Sequence, residues 1–99
     1  MNSNSQTFDV LSKLLESINQ QFESNDIGFD SEEFLDSFYV VSIYPGSVRL
    51  QGEFSQCRGK VMQVKKYLPE VENFNNSWDD DYAEVYFEVG DIRFYITLT

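Results

Sequence analysis

Between Phe8 and Phe22 the large apolar residues recur at steps of three and four: Phe8, Leu11, Leu15, Ile18 and Phe22, with Val10 and Leu14 widening the stripe. That spacing predicts an amphipathic helix. Ser5 or Thr7 is placed to cap it, and Asp9, Glu16 and Glu23 fall on its outer side. The residues before it, 1–6, are polar and are expected to fray. Ser24-Asn25-Asp26 and Gly28 break the pattern and predict a linker over 23–29. Asp30 followed three residues later by Glu33, just before Phe34 and Leu35, has the form of a capping box. It predicts a short helix over about 31–37.

At Phe38 the period changes to two. Tyr39, Val41 and Ile43 alternate with Val40, Ser42 and Tyr44, and Pro45-Gly46 suits the centre of a type II turn. The chain returns with Val48, Leu50 and Phe54 on one face, and Arg49, Gln51 and Glu53 on the other. A β-hairpin with one buried face is expected. From Ser55 to Leu68 the spacing of Cys57, Val61, Val64 and Leu68 is helical again, with Ser55 as N-cap and Pro69 as the stop. Gly59 weakens that helix, and a strand over 60–67 is the alternative. Residues 69–81 give no clear period. Val71 and Phe74 suggest a short edge strand, and Asn75–Asp81 a loop. Two clear strands close the chain: Val85, Phe87 and Val89 alternate with Glu84, Tyr86 and Glu88, and Ile92, Phe94, Ile96 and Leu98 with Arg93, Tyr95 and Thr97. Gly90-Asp91 between them suits a primed turn.

The predicted order is α-α-β-β-α-β-β. It implies an α+β two-layer sandwich, an antiparallel sheet of four or five strands covered on one face by helices. Tyr39, Val41, Ile43, Val48, Leu50, Val85, Phe87, Val89, Ile92, Phe94, Ile96 and Leu98 would form the inner face. Leu11, Leu15, Ile18, Phe22, Val61, Val64 and Leu68 would cover it.

Length and composition make this one domain, 1–99. With 41 % hydrophobic and 16 % aromatic residues the chain can build a core, so its acidity does not signal disorder. The lone Cys57 excludes an internal disulfide and reads as a buried small hydrophobe. Met1 to Thr7 has neither a basic start nor an apolar run, and no stretch is long and apolar enough for a membrane span, so a cytoplasmic protein without membrane contact is expected.

Charge changes the picture most. Seventeen acids against seven bases give a net charge of −10, and there is no histidine. Phosphate backbones repel such a surface, so direct nucleic-acid binding is not expected. Without histidine there is no Ser-His or Cys-His pair, and there is no glycine-rich phosphate loop, so the chain reads as a non-enzyme without a cofactor. Asp79-Asp80-Asp81 with Glu84 could face a hard cation, but the spacing and the missing glycine are not those of an EF-hand, and a solvated acidic loop is the simpler reading. The bases are uneven. Arg58, Lys60, Lys65 and Lys66 stand in a stretch without acids, while the rest of the chain holds every acid and only Lys13, Arg49 and Arg93. That stripe either balances its neighbours or contacts an anion or partner. The other sheet face would carry Val40, Tyr44, Tyr86 and Tyr95 among Arg49, Gln51, Glu53, Glu84, Glu88, Arg93 and Thr97, and Tyr and Arg are favoured at interface centres. Trp78 either plugs its loop or is displayed as an anchor.

In length, charge, single cysteine, lack of catalytic apparatus and α+β pattern, the chain resembles the small acidic proteins that phages and mobile elements use against host defences, anti-CRISPR and nuclease-inhibitor proteins among them. The likeness rests on whole-chain character, not on a motif. It implies an inhibitor in a bacterial or phage-infected cell, docking an acidic surface on a basic, nucleic-acid-binding surface of another protein. Asp79, Asp80, Asp81, Glu84 and Glu88 would supply the charge, with Trp78 and Tyr86 as anchors. Two alternatives stand beside it. One is a homo-oligomeric module, such as a homodimer, pairing through the sheet face or a free strand edge. The other is a sponge for a small anionic nucleotide held by Arg49, Arg58, Lys65, Lys66 and Arg93.

Overall fold

A computed structural model describes residues 3–99, with side chains from Ser5 onward. The elements are α1 (Ser3–Ser24), α2 (Ser31–Asp36), β1 (Phe38–Tyr44), β2 (Ser47–Gly52), α3 (Phe54–Tyr67), β3 (Glu72–Trp78), β4 (Ala83–Val89) and β5 (Ile92–Leu98). The α+β class and the predicted order hold, with one strand added. The strands form one sheet in the order β1-β2-β5-β4-β3. The helices lie on one face of it: Leu11, Leu14, Ile18 and Phe22 of α1 and Cys57, Val61 and Val64 of α3 share a core with Val48, Leu50, Phe87, Phe94 and Ile96. No helix among the described residues is long and apolar enough to cross a membrane.

The sheet is mixed rather than wholly antiparallel. β2 and β5 pair in parallel, Val48 opposite Phe94 and Leu50 opposite Ile96. The reason is the route of the chain. It leaves β2, crosses the inner face as α3, and reaches the far edge as β3. It then returns through β4, so β5 arrives beside β2 running the same way. Alternation within a strand is the same for either pairing.

α1 begins at Ser3, before the expected caps, so 3–6 are helical and Thr7 lies inside the helix. Thr7 is fully buried, and its Oγ1 accepts a hydrogen bond from the Gly46 N–H at 3.0 Å, tying α1 to the β1–β2 turn. Leu14, not Leu15, is the more deeply buried of that pair. The helix ends in a Schellman motif: the Ile27 N–H donates to the Phe22 carbonyl at 2.9 Å and the Asp26 N–H to Glu23 at 3.2 Å. The left-handed residue of that motif is Asp26, φ 55°, not the nearby glycine. An L-residue is disfavoured there, so Asp26→Gly is expected to raise stability by about 0.5 kcal/mol, the relief of left-handed strain less the added freedom of the unfolded chain. A urea titration reads this directly.

α2 starts as predicted, Asp30 Oδ1 accepting from the Glu33 N–H at 3.0 Å. α3 starts one residue earlier than its expected cap. Glu53 occupies the N-cap position, and Phe54 is helical rather than part of the hairpin. Two bulges shift strand faces. In β1, Phe38 pairs with Gly52 and Val40 with Gln51, so Tyr39 is the extra residue. This turns Phe38 inward and leaves Tyr39 62 % exposed, where simple alternation puts it on the inner face. Val41 keeps its inner-face register, yet lies on an edge strand and is 41 % exposed. In β3, Asn73 takes φ 54° inside a second bulge, and the strand then runs through Asn75–Trp78, where a loop was expected.

Candidate functional site

Among the described residues no helix covers the outer face of the sheet, and the side chains of that face fall into three rows set by the strand register. The middle row is Ser42, Arg49, Tyr95, Tyr86 and Asn75. One flanking row is Val40, Gln51, Thr97, Glu84 and Ser77, and the other Tyr44, Ser47, Arg93, Glu88 and Glu72. Every row crosses all five strands because strand pairs in register project to the same side.

The centre of the middle row is a stack of three planar groups. The Arg49 guanidinium lies over the Tyr95 ring at 4.9 Å, and the Tyr95 and Tyr86 rings are 5.2 Å apart, tilted by 58°. Such contacts hold planar groups in place on an open surface. Burial against the sheet, together with a hydrogen bond to Glu88, pushes the Tyr86 phenol above its ordinary pKa. Asn73 Nδ2 donates to Glu88 Oε1 at 3.0 Å, so the β3 bulge orients one of the two acids of β4. A shallow groove of about 390 Å³ runs along this row, lined by Arg49, Asn75, Ser77, Glu84, Tyr86 and Tyr95 among others.

The β3–β4 turn forms an acidic tip at the end of the sheet, where its aspartates line grooves with Phe54 and Arg58 at the start of α3. Trp78 pairs with Ala83, and the Asp79 N–H donates to the Tyr82 carbonyl at 2.8 Å, so Asp79, Asp80, Asp81 and Tyr82 make the loop. All three aspartates are exposed. The Tyr82 hydroxyl donates to Glu84 Oε1 at 2.7 Å, and this bond holds the phenol above its ordinary pKa. It also links the tip to the outer face through Glu84. Among the described residues, no group of three or more carboxylates or thiols is disposed to hold a metal ion.

Trp78 is the plug of the two readings. Its ring packs edge-on against Phe54 of α3 at 5.9 Å, and its indole nitrogen is buried without a hydrogen-bond partner. It supports the acidic tip from beneath and does not belong to the displayed set. Of the other residues proposed for partner binding, Glu84, Tyr86 and Glu88 share the outer face, while Asp79, Asp80 and Asp81 lie in the turn beside Phe54 and Arg58 of α3. Sequence reasoning found the Tyr86–Tyr95 face but missed Asn73, Asn75 and Ser77. They belong to a strand whose polar composition hides it.

The basic residues divide between the two layers. Arg49 and Arg93 are on the outer face, while Arg58, Lys65 and Lys66 are on α3, across the sheet. One copy of the chain therefore does not bring the five together around a nucleotide. The helix cations have local occupations. Lys60 Nζ donates to Ser37 Oγ at 2.6 Å, Lys65 Nζ lies 5.2 Å from the Phe74 ring centre, and Arg58 lies 5.7 Å from that of Phe54. Cys57 is fully buried, and burial raises its thiol pKa. No protein-family model, curated protein or solved structure matches the chain.

Proposed function

We propose that the chain is a non-catalytic binding protein that docks its acidic tip and the adjoining outer sheet face onto a basic surface of another protein. In the fullest form of this reading the partner is a nucleic-acid-binding protein of a host defence, inhibited by occlusion. One observation carries it: Glu84, on the uncovered sheet face whose centre is the Tyr86–Tyr95 pair, is tied by the Tyr82 hydroxyl to the turn that exposes Asp79, Asp80 and Asp81. Aromatic side chains supply contact area at low entropic cost, and the carboxylates around them steer a cationic partner. A net charge of −10 speeds that encounter at low ionic strength. The carboxylates stand where a nucleic acid's phosphates would on the partner, so occupancy and nucleic-acid binding exclude each other.

The test is affinity capture from bacterial lysate with tagged wild-type chain and with the triple variant Asp79→Asn, Asp80→Asn, Asp81→Asn, at low and high salt. A nucleic-acid-binding protein is expected with the wild type at low salt. The purified pair should lose at least about tenfold in affinity with the triple variant, and a competing duplex should displace the chain. A partner held equally by both forms, or held without regard to salt, refutes the reading.

A further inference from the structure

The opposite edge of the sheet has the reverse character. β1 forms one edge, and among the described residues no strand pairs with its outer side. Its sequence, Phe38-Tyr39-Val40-Val41-Ser42-Ile43-Tyr44, contains no charged residue. It lies within the longest uncharged run of the chain, bounded by Asp36 and Arg49. Exposed edges are normally blunted by charge, proline or a bulge. β3 at the other edge has Glu72 and a left-handed Asn73 bulge. β1 has a bulge only at Tyr39, and Val40–Tyr44 pairs regularly with β2, which leaves a straight row of outward backbone groups. Beside that row Val41 and Tyr44 are 41 % and 47 % exposed, while Tyr39, 62 % exposed, reaches away from the edge and shares a hydrogen bond of 3.0 Å with Thr99 Oγ1.

We infer that β1 is a self-pairing edge: it binds β1 of a second copy, antiparallel about a two-fold axis, and joins two sheets into one. The register that overlaps the whole strand centres on Val41. Val41 then meets Val41 of the second copy, and Val40 meets Ser42. A two-fold axis sets the central residue against itself and brings any other residue of β1 within a few ångströms of its own copy in the second strand, so an acid in β1 would stand near a like charge. In a chain of net charge −10, β1 escapes that conflict because it carries no charge. A foreign basic strand would be recognised by acids along the edge, and β1 offers none. Charge thus favours a second copy over a different partner. Since β1 and β3 are opposite edges, the dimer leaves both acidic tips free and doubles the docking surface proposed above.

Salt separates the two interfaces. Docking to a basic partner weakens as salt rises. Dimerisation through a neutral edge strengthens, because screening relieves repulsion between two acidic bodies. The experiment is sedimentation equilibrium of the purified full chain over a concentration series at low and moderate salt, with Val41→Glu, Val41→Lys and an equimolar mixture of the two. Wild type is expected at twice 11.6 kDa and tighter in the higher salt. Each single variant should dimerise at least about tenfold more weakly, with an unchanged circular dichroism spectrum, and the mixture should recover the dimer through a Glu–Lys pair at the axis. Ser42→Lys, on the outer side of the same edge, is the second variant should either position 41 variant misfold, and it too should weaken the dimer. A wild type that stays monomeric at millimolar concentration overturns the inference. So does a dimer that survives folded Val41→Glu or is lost on Tyr95→Ala instead.

Discussion

Phe87→Ala should remove about 3–5 kcal/mol of stability, a large share of the roughly 5–15 kcal/mol that holds a domain folded. Phe87 is 1 % exposed and stands in the middle of a three-ring stack on the inner face. Its ring lies 4.9 Å from Phe94 and 5.9 Å from Phe74, nearly parallel to both, at 9° and 4°. Truncation would leave a cavity walled by rings on two sides, and neither neighbour can collapse into it without leaving its own strand register. Phe74, at the end of the stack on edge strand β3, is only partly buried, with Lys65 beside its ring. Phe74→Ala should therefore lose about 1–2 kcal/mol, because part of its surface is already in water. Urea unfolding of both variants decides this. Equal losses would mean that the stack has no interior member. The position also matters for the site, since Phe87 lies between Tyr86 and Glu88 in β4. A strand that shifts to fill the cavity displaces the outer face with it.

How far this fold is legible in the sequence depends on the burial of each strand. β4 and β5 bury every second residue, as in Val85, Phe87 and Val89, and their pattern is plain in the sequence. β3 buries no residue fully, and only Phe74 and Trp78 of it pack against the core, so three asparagines dominate its pattern. An edge strand that packs on one side in a few places has no alternation to find. Tyr39 misleads for a different reason. A bulge adds one residue to one strand, and nothing in Phe38-Tyr39-Val40 marks which residue is extra. The parallel β2–β5 pair depends on where β3 goes, and so could not be read without it. Of the candidate site, the aromatic and charged members of β4 and β5 were visible as alternate positions. Their assembly with Arg49 follows from the parallel pairing, which sets Arg49 opposite Tyr95. Trp78 carried two readings because a tryptophan in an acidic loop is equally a plug or an anchor in sequence. The nearness of Phe54 decides between them.

Gly52→Ala, the addition of a single methyl group, should cost about 1–3 kcal/mol. The backbone of Gly52 is not in the left-handed region, so the effect is one of space. A Cβ there would lie 2.5 Å from Cys57 Sγ and 2.9 Å from Phe38 Cδ1. Neither has room to yield. Cys57 is fully buried and its thiol donates to the Ser37 carbonyl at 3.1 Å. Phe38 is held edge-on against Phe34 at 5.2 Å. Gly52 is itself fixed, because its carbonyl accepts from the Thr99 N–H at 3.0 Å while the Thr99 carbonyl accepts from Phe54 at 2.9 Å. The end of β2, the start of α3 and the end of the chain thus meet at one residue without a side chain. The cause can be isolated by a double-mutant cycle. In a Cys57→Ala background the nearer of the two clashes is gone, so Gly52→Ala should cost less there than in the wild type. Additive losses in chemical denaturation would show that the thiol is not what excludes the methyl group. The same knot sets where Phe38 sits, and Phe38 begins the strand inferred to pair with a second copy. If Gly52→Ala pushes Phe38 outward, dimerisation should weaken together with stability, whereas Phe87→Ala should affect stability and the outer face while sparing the β1 edge.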